Sequence, residues 1–213
     1  MSCKITFDYI AQWVDPNFFF SKNHKWGNMG IIGVLGDFIL HSVGGDILEI
    51  GVGESSIYLT ALSKKYNRKI YYCDCNNDKI VDIKGADYFS ENSKIYVCLS
   101  DEMFAEAKLT PLAFTFIDGY HGYDQVKRDF WNAMEYTVSN GCILMHDTYP
   151  PKEDWQDGGG CGDVYRFRQE IEKDKRFDCF TFVGNPYDYR IPDYYIASTL
   201  VRKKPENRPY YQE

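Results

Sequence analysis

No stretch of the 213-residue sequence approaches the ~18 consecutive apolar residues of a membrane-spanning helix, so no membrane partner is expected. The opening residues, MSCKITFDYIAQW, lack a basic segment followed by an apolar core, so no secretory leader is expected either. Positive charge is not in excess: 24 Lys and Arg stand against 31 Asp and Glu, a net charge of -7. A sequence-independent grip on nucleic acid needs clustered cations, so no nucleic-acid partner is expected. The seven cysteines are an odd number, and Cys73-Asp74-Cys75 is a lone C-x-C with no second pair at zinc spacing. Several cysteines sit inside apolar runs, which reads as buried thiols in a reducing compartment, hence a cytoplasmic protein. There is no internal repeat and no low-complexity segment. What is there, 44% hydrophobic and 17% aromatic residues, suits one domain with a full core and excludes wholesale disorder.

From Asp46 onward, short apolar runs alternate with amphipathic stretches. Asp46–Ile50, Lys69–Cys73, Lys94–Leu99, Leu112–Ile117 and Cys142–Met145 read as strands. Helices are expected over Glu54–Tyr66, near Tyr123–Thr137 and near Asp163–Lys173. Strands apolar on both faces and separated by helical periods indicate a parallel sheet covered by helices on both sides. Phe177–Val183 and Tyr194–Val201 have no convincing helix between them, and Gly184-Asn-Pro-Tyr187 supplies turn chemistry. They are expected as an antiparallel pair at one edge, which brings the sheet to seven strands. Residues 1–45 are expected to form a helical cap, with Asn28–Leu40 its best helix, residues 46–201 the main domain, and 202–213 a polar, fraying tail.

Leu48-Glu-Ile-Gly-Val-Gly-Glu-Ser-Ser56 puts two glycines between the first strand and a helix. Glycine permits φ > 0 and close approach of a ligand to the backbone. Ser55 and Ser56 are suited to cap the new helix. A dinucleotide fingerprint continues to a third glycine or alanine, and here that position is Ser56. The acid Glu49 would repel a pyrophosphate but suits a cationic ligand. Asp74 ends the second strand, where an acid commonly holds ribose hydroxyls in this topology. A tight strand–helix turn beside a solvated aspartate is the bland alternative.

With Glu49, Gly51, Gly53 and Asp74 at these element ends, the chain resembles the class I S-adenosylmethionine-dependent methyltransferases. That family has E-x-G-x-G after its first strand and an acid at the end of its second. The resemblance spans roughly residues 46–201 and implies an α/β, Rossmann-like, mostly parallel seven-stranded sheet with an antiparallel final strand. It implies S-adenosylmethionine as cofactor, with Glu49 and Ser55 among the residues that hold it, Gly51 and Gly53 bordering its methionine part and Asp74 on its ribose. Ser100 and Asp101 match positions that commonly contact adenine; a helix cap before Glu102–Ala107 reads equally well.

Asp118 ends the fourth strand, and His146-Asp147-Thr148 follows the fifth. Ligands of open α/β sheets collect outside the carboxyl ends of the strands, near the switch in strand order. Asp118, His121, His146 and Asp147 are therefore expected as catalytic groups in one crevice with the cofactor, Asp118 bordering both. FIDGYHGYDQVKRD together with ILMHDT resembles the small O-methyltransferase-like branch, relatives of catechol and macrolide-sugar O-methyltransferases, which carry a divalent metal at these strand ends. That resemblance implies Asp118 and Asp147 as Mg²⁺ ligands and puts the third ligand position, Asp or Asn in the branch, on Thr148. A neutral hydroxyl is a poorer ligand for a hard cation, although water can complete an octahedron, so metal dependence stays open. His121 falls where the catechol branch has its lysine base, and a histidine titrates in the right range to take a hydroxyl proton. The structural alternatives are a surface His121 and a His146 that only braces the aspartates.

Gly158-Gly-Gly-Cys-Gly162 reads equally as a mobile lid or a plain surface loop. The Tyr187–Tyr195 cluster suits stacking on a small-molecule acceptor or lining a homo-oligomer interface. The function expected is methyl transfer from S-adenosylmethionine to a hydroxyl of a small acceptor, sugars among the candidates. Beside it stand an NAD(P)-dependent oxidoreductase, disfavoured by Ser56 and Glu49, and a non-catalytic binding module on the same fold.

Overall fold

The computed structural model describes residues 30–84, 91–150, 153–157, 160–182 and 197–205. Seven strands form one sheet: β1 (Asp46–Ile50), β2 (Ile70–Cys73), β3 (Ser93–Tyr96), β4 (Leu112–Ile117), β5 (Thr137–Met145), β6 (Phe177–Phe182) and β7 (Ser198–Lys203). Their order is β3-β2-β1-β4-β5-β7-β6, so strand order reverses between β1 and β4. The first five strands are parallel, and β7 runs antiparallel to both β5 and β6. Among the described residues the helices are α1 (Gly30–Ser42), α2 (Ser55–Tyr66), α3 (Asn77–Lys84), α4 (Ser100–Glu106), α5 (Tyr123–Tyr136) and α6 (Val164–Ile171), with a 3₁₀ turn at Glu153–Trp155.

Alternate residues of each strand serve opposite faces, as the two-residue period of a strand requires. Ile47, Ile70, Tyr72, Phe114 and Phe116 pack under Ile39 and Leu40 of α1 and Leu59 and Leu62 of α2. Leu48, Tyr71, Leu112, Ile143 and Met145 pack under Met103 of α4, Phe130 of α5 and Phe167 of α6. In α5, Val126, Phe130, Ala133 and Met134 form the buried stripe of an amphipathic helix. The end of α2 comes at Asn67, which takes the left-handed conformation (φ 49°) and returns its N–H to Lys64. No helix among the described residues is long and apolar enough to cross a membrane.

Boundaries differ from the sequence expectation where burial on both sides ends. β3 is an edge strand and stops at Tyr96, because Val97 and Leu99 leave the sheet and are exposed. β5 starts at Thr137 rather than Cys142, with the register shift opposite Leu112–Phe114 absorbing Gly141. β7 continues to Lys203, into the segment expected as a tail. Arg202 pairs there with Asp178, and the Lys203 ammonium donates to the Thr137 carbonyl (2.9 Å). The start of the expected helix Asn28–Leu40, the rest of the amino-terminal cap and the Tyr187–Tyr195 cluster lie outside the described residues.

The parallel ladder runs on past the strand ends. The Gly51 N–H donates to the Cys73 carbonyl (2.9 Å), Asp118 N–H to Ile50 (2.8 Å), His146 N–H to Ile117 (3.0 Å) and Asp74 N–H to Tyr96 (3.2 Å). Asp74, Gly51, Asp118 and His146 thus stand side by side across four strands. Gly51 has φ 85°, and a β-carbon on it would overlap the carbonyl of Asp118. Gly51→Ala should therefore cost more than ~2 kcal/mol, since the overlap adds to the ~1–3 kcal/mol of a strained backbone. At Gly53 a β-carbon meets nothing within 4 Å, so Gly53→Ala should stay within ~0.5 kcal/mol. Urea unfolding of the two variants checks this, and equal stabilities would remove the close approach as a constraint.

Candidate active site

A cleft of about 470 Å³ opens at the carboxyl ends of β1 to β4, lined by Gly51, Asp74, Leu99, Ser100, Asp118 and Gln125 among others. Asp74 ties its floor together. One carboxylate oxygen accepts from the Val52 N–H (2.9 Å) in the glycine turn, the other from the Asn76 N–H (2.7 Å), and Lys79 stands 3.6 Å away. At the far end Ser100 donates to the buried Asp129 (2.6 Å), which also accepts from the Gln125 amide (2.9 Å). Burial pushes the Asp129 carboxyl up, against the pull of these two donors.

Three of the expected cofactor residues are placed differently. Glu49 is fully buried behind the turn, where it accepts hydrogen bonds from Ser55 and from Ser56 (2.7 Å). Neither Glu49 nor Ser55 lines the cleft, so both brace the turn from beneath. The serines are spent on that acid instead of on capping α2, whose first turn has no side-chain cap. Asp101 points away and pairs with Arg128 (3.2 Å). Ser100 and Asp118 do line the cleft, and Gly53 is exposed at its turn.

The second part of the site is a knot of two aspartates and two imidazoles at the ends of β4 and β5. His146 Nδ1 lies 3.2 Å from Asp118 and 3.3 Å from Asp147. His121 Nε2 lies 3.3 Å from Asp118 and 3.4 Å from Asp147. Each imidazole therefore addresses both carboxylates through one nitrogen. The other nitrogen of His121, Nδ1, donates to the Gly160 carbonyl (2.9 Å). Asp147 reaches the knot because it adopts a left-handed backbone (φ 55°), a conformation Asp and Asn tolerate better than most residues.

Burial disfavours charge on His146, but Asp118 and Asp147 outweigh it and bring its pKa up to about 10. His121 is raised against burial in the same way, chiefly by its bond to Asp118. Burial opposes ionisation of Asp118, yet the two imidazoles hold it well below the usual carboxylate range. His121 was expected as a free general base; in this geometry its Nε2 is committed to two carboxylates and shifted toward the charged form. Thr148, expected as a third ligand, is fully buried and turned to β7. It donates to the Ala197 carbonyl (3.3 Å) and accepts from Thr199 (2.8 Å), so its hydroxyl is engaged on the β7 side. His121, Asp118 and Asp147 instead offer ligand atoms within 4.8 Å of one another.

Gly160–Gly162 dock on this knot. Gly162 takes φ 52° where a side chain would strike the His121 backbone, and the next N–H, of Asp163, donates to the His121 carbonyl (2.8 Å). The Cys161 thiol is buried, and burial together with nearby Asp147 pushes it up to about 12. Gly158 and Gly159 lie outside the described residues. Sequence reasoning missed Cys161, Gln125 and Asp129. Only the glycine run hinted at the first, and nothing local marks the other two on an amphipathic helix.

The fold matches solved methyltransferases at low identity. An O-methyltransferase from Bacillus cereus in complex with SAH has a TM-score of 0.65 at 14% identity, covering 93% of this chain and 90% of that one. The O-methyltransferase TomG from Streptomyces achromogenes, involved in tomaymycin synthesis and bound to SAM, has a TM-score of 0.61 at 14% identity, covering 93% and 89%. An rRNA methylase from Streptococcus thermophilus has a TM-score of 0.56 at 12% identity, covering 81% and 95%. No curated protein matches the sequence. Residues 48–148, from the middle of β1 to the end of the knot, match the family described as methyltransferase domain. That segment is similar to a methyltransferase domain, and the fold around it is that of the solved methyltransferases.

The protein keeps its buried acid at a cost. Burial, reinforced by the charges of Asp118 and Asp74 and only partly offset by the two serines, carries the Glu49 pKa up to about 8. The folded protein then holds a proton that the unfolded chain loses near 4.5, so stability falls as pH rises through that window and the loss is complete above about 8. Each pH unit inside the window is worth up to ~1.4 kcal/mol. Glu49→Gln should therefore gain stability relative to the parent protein as pH is raised from 5 to 8. Urea titrations at both pH values read this, and a constant difference would mean that Glu49 ionises normally.

Proposed function

We propose that the protein is an S-adenosylmethionine-dependent methyltransferase and transfers the methyl group to a hydroxyl of a small acceptor seated over Asp118, His121 and Asp147. One observation carries the reading: the Asp118 side chain belongs to both halves of the site, lining the cofactor cleft and bonded to both histidines. A methyl group delivered from the glycine turn would arrive beside the knot. The solved neighbours named as O-methyltransferases support a hydroxyl acceptor. The net charge of -7 favours a small molecule over nucleic acid, the substrate class of the rRNA methylase neighbour.

In the transfer the carbon–sulfur bond breaks with its electron pair going to sulfur, the carbon–oxygen bond forms, and the hydroxyl proton departs. What the protein supplies is alignment and a place for that proton. The glycine turn borders the methionine part of the cofactor, Asp74 accepts from the ribose, and Ser100 edges the adenine. Glu49 holds the turn in shape. His146, buried against Phe116, braces the aspartates, while Asp118, Asp147 and His121 orient the acceptor. The proton passes to this knot as a coupled unit rather than to one imidazole. The donor set also fits a divalent cation, held by Asp118, Asp147 and His121, whose charge would favour the ionised acceptor.

S-adenosylmethionine should bind in preference to NAD, because Ser56 stands where a dinucleotide turn needs its third glycine. Asp74→Ala should weaken that binding ~10–100-fold, the ~1–3 kcal/mol of a hydrogen bond to a charged group. Calorimetry with both ligands decides, and NAD binding without S-adenosylmethionine binding would overturn the cofactor assignment.

Activity is read by incubating the protein with S-adenosylmethionine and a panel of activated sugars and small phenols, with and without divalent cations. Demethylated cofactor and a methyl ether should appear together by mass spectrometry. Asp118→Asn should lower turnover by ~10²-fold or more. Methylation confined to nitrogen acceptors would displace the hydroxyl reading.

A further inference from the structure

The expected metal set at this site consists of oxygen donors alone, with the position after Asp147 supplying the third. That position is closed here, because the Thr148 hydroxyl is bonded on both sides within the sheet. The third donor comes from another loop and is a nitrogen. His121 Nε2 converges with Asp118 Oδ1 and Asp147 Oδ2 at 3.3 and 3.4 Å. Its tautomer is fixed from outside the knot, since the Gly160 carbonyl can only accept and Nδ1 must therefore carry a proton. With a proton on Nε2 the ring shares it between the two carboxylate oxygens, and a divalent cation that displaces that proton meets the same three converging donor atoms. A backbone carbonyl orienting a metal-binding imidazole through its far nitrogen is a recurrent support in such sites.

We propose that the methyltransferase holds a divalent transition metal between Asp118, Asp147 and His121, and prefers it to Mg²⁺. Imidazole suits borderline cations such as Fe²⁺, Co²⁺ and Zn²⁺, whereas Mg²⁺ selects oxygen ligands and water. His121 is thus the selecting ligand rather than a free base. The inference rests on the proposed function for the site's role, but not for its own test.

The test is calorimetric titration of the metal-stripped full-length chain with Co²⁺, Mn²⁺ and Mg²⁺, together with the Co²⁺ absorption spectrum. Co²⁺ should bind at least ~10²-fold more tightly than Mg²⁺, following the order of divalent affinities for nitrogen-containing sites. His121→Ala should weaken Co²⁺ at least ~10-fold, a loss typical even for outer partners of a ligand, and change the visible bands. His121→Asp should restore Mg²⁺ relative to Co²⁺ by making the set all oxygen. Thr148→Val should leave both affinities unchanged. S-adenosylmethionine binding, measured on every variant, certifies the fold. Equal binding of Mg²⁺ and Co²⁺ by the parent protein, or Co²⁺ affinity unaffected by His121→Ala in a variant that still binds S-adenosylmethionine, would overturn the inference. Failure of the parent protein to bind S-adenosylmethionine would instead strike at the proposed function and leave the metal preference standing.

Discussion

The contact between the Gly51 backbone and the Asp118 carbonyl is the constraint on which the site depends. It exists because β1 and β4 are neighbours although five elements, α2, β2, α3, β3 and α4, separate them in the chain, and because Gly51 has no side chain to hold them apart. Through it the glycine turn and the knot of aspartates and imidazoles share a wall one residue thick. Hydrogen bonds of the extended ladder fix the height of that wall from Asp74 to His146. The glycine expected to admit a ligand therefore also admits another strand, lining the cleft on one side and meeting Asp118 on the other, while Gly53, two residues on, stands exposed.

Much of the architecture was legible because its physics is local to each element. The largely apolar runs Ile47–Ile50 and Leu112–Ile117 demanded cover on both faces, and the alternation of helices supplied it. The antiparallel edge followed from turn chemistry between two strands. What was not legible was orientation at the strand ends. A carboxylate at position 49 and one at position 118 look alike in sequence, yet Glu49 points into the core and Asp118 into the cleft. The alternation of β1 decides this, and it becomes visible only when the serines of α2 are seen to meet Glu49. Thr148 escaped for the same reason: its neighbour in space is Thr199, fifty-one residues away in the chain.

Glu49 also separates two uses of charge in one small region. On one side of the Gly51 turn an acid is sheltered and favours its neutral form; on the other, Asp118 is kept ionised by two imidazoles. The difference comes from partners. Hydroxyls compensate burial only in part, whereas imidazolium groups reverse it. A single strand spacing thus isolates a structural carboxyl from a chemical one.

The left-handed backbone at Asp147 carries a consequence for how such a site can change over generations. The residues most at ease in that conformation are glycine, asparagine and aspartate. Charge at this position is therefore separable from shape: one carboxamide in place of the carboxylate would leave the loop, the docked glycines and the sheet where they are. A branched side chain would instead force the backbone to move and carry the knot with it. The electrical character of the pocket is thus its most readily altered property, and the path of the chain around it the least.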